Sequence, residues 1–147
     1  MARNEIVIDA PPSDVYATLL DAENYPKWVV GAKELAGVDR SWPRRGSRFY
    51  PKVGAGPAEM VDNTQLLEKQ ENKLVVLCVQ LRPLATGIVR LALTPKASGR
   101  KTRVIMTEDA TSGPLSWLKN PLTTATIVVR NALSLRRLRR LVASSRG

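Results

Sequence analysis

The chain has 147 residues, 44% of them hydrophobic, with 23 basic and 13 acidic side chains, one cysteine and no histidine. That length suits one domain with a real core. It cannot form an internal disulfide, lacks the usual ligands for zinc or haem, and has no serine–histidine or cysteine–histidine catalytic pair, so no metal and no cofactor is expected. No apolar run approaches the roughly 20 residues of a membrane span, and Met1-Ala2-Arg3-Asn4-Glu5 has no apolar signal core. The expectation is a soluble, cytoplasmic protein.

In chain order, the β-branched run 5–9 favours a strand, and Ala10-Pro11-Pro12 breaks it. Asp14 near the start and Val15, Tyr16, Leu19 and Leu20 at helical spacing predict a short helix over 12–20. Pro26 opens a second short turn carrying Trp28, Val29 and Val30. Apolar runs then recur every ten or so residues between turn-forming segments, as in an antiparallel meander. Strands are predicted over 33–38, 47–53, 59–70, 73–81, 87–95 and 101–110. Residues 111–119 read as a loop containing Gly113, Pro114 and Trp117.

From Pro121 to about Ser144 no proline or glycine interrupts a Leu-, Val-, Ala- and Arg-rich run, which predicts an amphipathic helix of roughly six turns. At 100° per residue Val128, Asn131, Ala132, Leu135, Leu138 and Val142 share its apolar face, and Arg130, Arg137 and Arg140 fall opposite. Charge is uneven: residues 110–147 hold seven basic and no acidic side chains. The fold class is α+β, a curved antiparallel sheet of about seven strands around the long C-terminal helix, with two short helices after strand 1. Such a sheet gripping one helix leaves a wedge that side chains need not fill.

Ile6-x-Ile8-x-Ala10-Pro11-x-x-x-Val15-Tyr16, with Asp21-x-x-x-Tyr25-Pro26-x-Trp28, resembles the polyketide cyclase/dehydrase family of the START-like (SRPBCC) superfamily. Arg130-Asn131-Ala132-Leu133-Ser134-Leu135-x-x-Leu138 is similar to that family's closing helix. The resemblance spans essentially the whole chain and implies one START-like domain over 1–147 with the helix-grip fold. It also implies a deep apolar cavity for lipids, sterols or polyketides. Of the arginine, tyrosine and tryptophan set that aromatic polyketide cyclases carry, only Trp28 has a counterpart here.

The expected function is therefore non-enzymatic binding or carriage of a small hydrophobic or amphipathic ligand. Val128, Asn131, Leu135 and Leu138 would line the helix side, with Thr124 a further polar position. Trp28 and Trp117 would guard access, although an aromatic such as Trp28 serves equally to lock the short helices onto the sheet. Asn131 and Thr124 either orient the ligand or bond a neighbouring strand or buried water. Met60 and Met106 either border the cavity or fill the core. Cys78 reads as a small buried hydrophobe.

The alternative from the enzyme class is a polyketide cyclase/dehydrase in which Glu108, Asn131 or Arg90 moves protons or polarises a carbonyl. Glu108 would serve as a base if it faces inward, or pair with Arg90 across neighbouring strands if it faces solvent. Asp62 has the same ambiguity. A third reading is an interaction module whose basic helix face meets an acidic partner. The helix has no aromatic residue for stacking bases, which argues against nucleic acid, while peripheral contact with an anionic membrane fits a basic amphipathic helix.

Overall fold

The structure, a computed structural model, describes residues 1–54, 56–81, 85–112 and 121–146. Strand β1 (Ala2–Ile8) leads into helix α1 (Pro12–Leu20), a 3-10 turn (Ala22–Asn24) and the short helix α2 (Tyr25–Trp28). Strands β2 (Ala32–Val38), β3 (Arg48–Val53), β4 (Met60–Val61), β5 (Asn63–Gln70), β6 (Leu74–Leu81), β7 (Ala85–Lys96) and β8 (Lys101–Ser112) follow, and helix α3 (Pro121–Arg146) closes the chain. The α+β reading holds. Among the described residues the strands form one antiparallel sheet in the order β1-β8-β7-β6-β5-β3-β2, with β4 attached to β3.

Two local features differ from the sequence reading. The strand expected over 59–70 is two, because Asp62 breaks it. Its backbone N–H bonds the Pro51 carbonyl at 2.8 Å, and its carboxylate accepts from the Asn63 N–H at 2.8 Å. Such a local side-chain bond competes with the sheet ladder. The sheet also reaches Ser112, where a loop was expected from 111. Before β4 the chain turns at Gly54, where φ is +95° and an added Cβ would sit 2.6 Å from the Ala58 carbonyl oxygen. Only glycine fits there.

Alternation along the strands decides which side chains meet the helix. Ile8 of β1, Leu66 of β5, Val75 and Leu77 of β6, Val89, Leu91 and Leu93 of β7, and Val104 and Met106 of β8 point inward into one cluster. Leu135, Leu138 and Val142 of α3 complete it, each 1% exposed or less. Val15 and Leu19 bring α1 onto the same core, and Trp28 brings α2. The sheet and both short helices thus converge on one stripe of α3.

Candidate functional site

The β8 register settles the direction of Glu108. It lies two residues beyond Met106 and opposite Val89 of β7, both inward-facing, so the carboxylate points towards α3. Its side chain is 15% exposed and meets Arg130, whose Nη2 donates to both carboxylate oxygens at 2.8 Å. Arg130 was expected on the opposite face of the helix. Its long side chain instead swings from the helix flank to the inner face of the sheet. Its Nε and Nη2 also donate to Asn131 Oδ1 at 3.4 and 3.3 Å, so carboxylate, guanidinium and amide form one chain of contacts.

Tyr25 brings this chain together with the far side of the sheet. Its ring stacks edge-on against Phe49 of β3 at 4.7 Å and against Trp28 at 6.1 Å. Trp42 holds Phe49 from the other side at 4.9 Å and donates its indole N–H to the Leu20 carbonyl. Tyr25 is half-buried and packs against the core cluster. Burial pushes its pKa up to about 12. The Thr64 hydroxyl and Arg130 act in the opposite direction, while Asp62 and Glu108 reinforce the rise. Thr64 of β5, Asp62 at the β4–β5 junction, Glu108 of β8 and Arg130 of α3 therefore all act on the one phenol of α2.

Among the described residues, two buried polar atoms here make no hydrogen bond of ordinary geometry. Asn131, 1% exposed, uses its carbonyl oxygen to accept from Arg130, but its Nδ2 donor has no hydrogen bond. Thr64, fully buried on β5, has no hydrogen bond of ordinary geometry at Oγ1, although it faces the Tyr25 phenol closely enough to favour its ionised form. Ser134, one turn along α3, is satisfied and structural: its hydroxyl accepts from the Val30 N–H at 3.0 Å and ties α2 to the helix.

The other expected positions separate. Leu135 and Leu138 are fully buried in the core cluster, Val128 and Thr124 are half-buried, and Met106 faces inward. Trp28, 3% exposed, packs in the core. Met60 is 38% exposed on β4 and stands apart from Met106. Arg90 is exposed on the outer face of β7, opposite Thr107, so the expected Glu108–Arg90 pair is not formed: the two point to opposite faces. Cys78 alternates with the inward Leu77 and Val79, and partial burial pushes its thiol pKa up. Trp117 and the rest of residues 113–120 lie outside the described residues. Tyr25, Thr64 and Arg130 were not picked out as site residues. Tyr25 stood in the quoted opening motif, and Arg130 is, among the described residues, the helix arginine that meets Glu108.

Among the described residues no three of His, Cys, Asp or Glu stand together to hold a metal ion, and no helix is long and apolar enough to cross a membrane. Two clefts open at the surface, and neither is lined by Tyr25, Glu108, Arg130 or Asn131. One lies along α1, near Asp14, Thr18 and Ser145, and a smaller one runs between β1 and α3.

Residues 2–143 match the sequence profile of the family described as polyketide cyclase/dehydrase and lipid transport. The chain belongs to this family. A search of curated proteins gives no match. Solved structures share the fold at low identity. A conserved protein of Geobacillus kaustophilus superposes with a TM-score of 0.76 at 14% identity, covering 97% of this chain and 95% of that one. A Staphylococcus aureus protein of unknown function gives 0.75 at 11% identity over 98% and 94%. The di-domain ARO/CYC StfQ of the steffimycin biosynthetic pathway gives 0.72 at 15% identity, covering 99% of this chain and 51% of that one. Identities this low establish the polyketide cyclase/dehydrase fold and leave the activity to the site.

Proposed function

We propose that this polyketide cyclase/dehydrase family member binds and carries a small amphipathic molecule, lipid- or polyketide-like, in the wedge between the sheet and α3. The observation that carries the reading is the unpartnered Asn131 Nδ2, enclosed on the helix stripe that faces the sheet. A buried donor left without an acceptor costs about 1–3 kcal/mol, which a ligand carbonyl or hydroxyl would recover. Arg130 Nη1, which makes no bond among the described residues, offers a second donor beside it. The apolar body would rest on Met106, Val128 and Leu135, gaining roughly 25 cal/mol per Å² of area removed from water. Cys78, the chain's one thiol, faces away from the wedge, so nothing there supports covalent thiol chemistry.

The test is native mass spectrometry of freshly purified protein before and after organic extraction, followed by rebinding of the extracted molecule. A mass lost on extraction, and rebinding weakened about tenfold in Asn131→Leu, is the expected result. Unchanged rebinding to a folded Leu135→Trp variant would remove the wedge as the site.

The convergence of Glu108, Arg130 and the Tyr25 phenol favours a second reading, in which a reactive carbonyl chain is cyclised or dehydrated there. Glu108→Gln would then abolish turnover of a polyketide while sparing its binding. Turnover surviving in Glu108→Gln would remove that base assignment.

A further inference from the structure

The core-facing stripe of α3 takes up Asn131, Ser134, Leu135, Leu138 and Val142, and the opposite stripe is left to solvent. That outer stripe is not uniformly polar. Val129 is 61% exposed and Leu133 46%, and the two stand four residues apart on one face. Arg136, Arg137 and Arg140 continue the face at three- and four-residue steps, and Arg139 flanks it, all four of them exposed. A lone exposed aliphatic residue is ordinary on a protein surface. Two stacked on one face and followed by four guanidiniums are the apolar and cationic parts of an interfacial helix.

The charge of this face is not answered within the chain. Residues 110–147 contain no Asp or Glu, and none of the four arginines forms an ion pair among the described residues. Glu5, beside Arg136 and Arg139 in the cleft between β1 and α3, already has Arg3 at 3.0 Å and Arg103 at 3.1 Å. Asp14 and Asp21 stand with Ser145, which lies roughly 140° around the helix axis from Arg140. A nucleic acid would engage the arginines but leave Val129 and Leu133 without a role, and the helix has no aromatic side chain to stack on a base. An anionic bilayer complements both parts, with headgroups for the guanidiniums and an acyl boundary for the aliphatic side chains. We propose that the outer face of α3 docks on an anionic lipid surface, with Arg136, Arg137, Arg139 and Arg140 at the headgroups and Val129 and Leu133 at the acyl boundary. The inner stripe stays buried, so docking requires no unfolding and stands whatever the wedge carries.

Flotation with phosphatidylcholine vesicles, with and without phosphatidylglycerol, tests this. The protein should bind the anionic vesicles and not the neutral ones, and added salt should weaken that binding without abolishing it. The double variant Arg137→Gln, Arg140→Gln should bind about 25-fold more weakly, at roughly fivefold per arginine. The double variant Val129→Gln, Leu133→Gln should bind about tenfold more weakly and lose the salt-resistant part. Because the whole chain is basic, the control is Arg90→Gln, Lys96→Gln. It removes the same charge from exposed positions on the outer face of β7, turned away from α3, and should cost much less. All of these side chains are on the surface, so the variants should fold, which circular dichroism checks. Equal losses in the two charge variants overturn the inference, because adsorption then follows net charge alone. Vesicle binding indifferent to Val129→Gln, Leu133→Gln overturns it as well. So does binding of duplex DNA or polyglutamate through Arg137 and Arg140 without any binding of anionic vesicles.

Discussion

Helix α3 carries two kinds of arginine within three turns. Arg130 folds inward, is bonded to Glu108 and Asn131, and acts on the half-buried Tyr25. Arg136, Arg137, Arg139 and Arg140 point to solvent with no acidic partner among the described residues. The difference lies in what faces each turn. Strand β8 offers a carboxylate to Arg130, whereas the later arginines form no ion pair among the described residues. One residue type therefore joins a polar cluster on the inner face of the sheet and, two turns later, leaves an open positive field.

The largest contrast should come from pH. Tyr25 has a folded-state pKa of about 12 against an ordinary value of 10.0, so the unfolded chain loses this proton first. Its contribution is complete below pH 10 and lost as pH rises towards 12, a loss of roughly 3 kcal/mol. Urea unfolding at pH 9 and pH 11.5 should show about two thirds of this loss in the native protein and much less of it in Tyr25→Phe. Equal alkaline losses in the two proteins would mean that the phenol is not enclosed.

Glu108→Ala should come next, at about 1–2 kcal/mol measured by urea unfolding at neutral pH. It removes a charge-assisted contact and leaves Arg130 without its carboxylate, though Arg130 retains some solvent to screen it. A change indistinguishable from zero would show that the pair is as weak as an ordinary surface ion pair.

The outer arginines should give the smallest effect. Arg140→Ala relieves like-charge repulsion from Arg136, one turn away, and should stabilise the protein by a few tenths of a kcal/mol at low salt and not at high salt. Destabilisation above about 0.5 kcal/mol would reveal a structural partner for that face.

The sequence made the framework legible because its signals are local. Pro11 and Pro12 start α1, period-2 runs mark the strands, and Leu135, Leu138 and Val142 at helical spacing mark the buried stripe of α3. The break at Asp62 was missed because it depends on one side chain bonding the next backbone amide, which a strand pattern does not exclude. Asn131 was legible as a polar residue on an apolar face, but its unpartnered donor was not. Tyr25 and Thr64 were harder still, since neither breaks a pattern in its own segment.

Composition and periodicity by themselves determined that this chain builds an antiparallel sheet closed by one amphipathic, basic helix, because those properties repeat along the sequence. Only the tertiary structure decided that Glu108 faces the helix and Arg90 faces solvent. That outcome turns on the register of β7 against β8, where a shift of one residue exchanges the two faces of a strand. It also decided that Arg130, placed by helical periodicity on the outer face, reaches inward, because a long flexible side chain follows the nearest opposite charge.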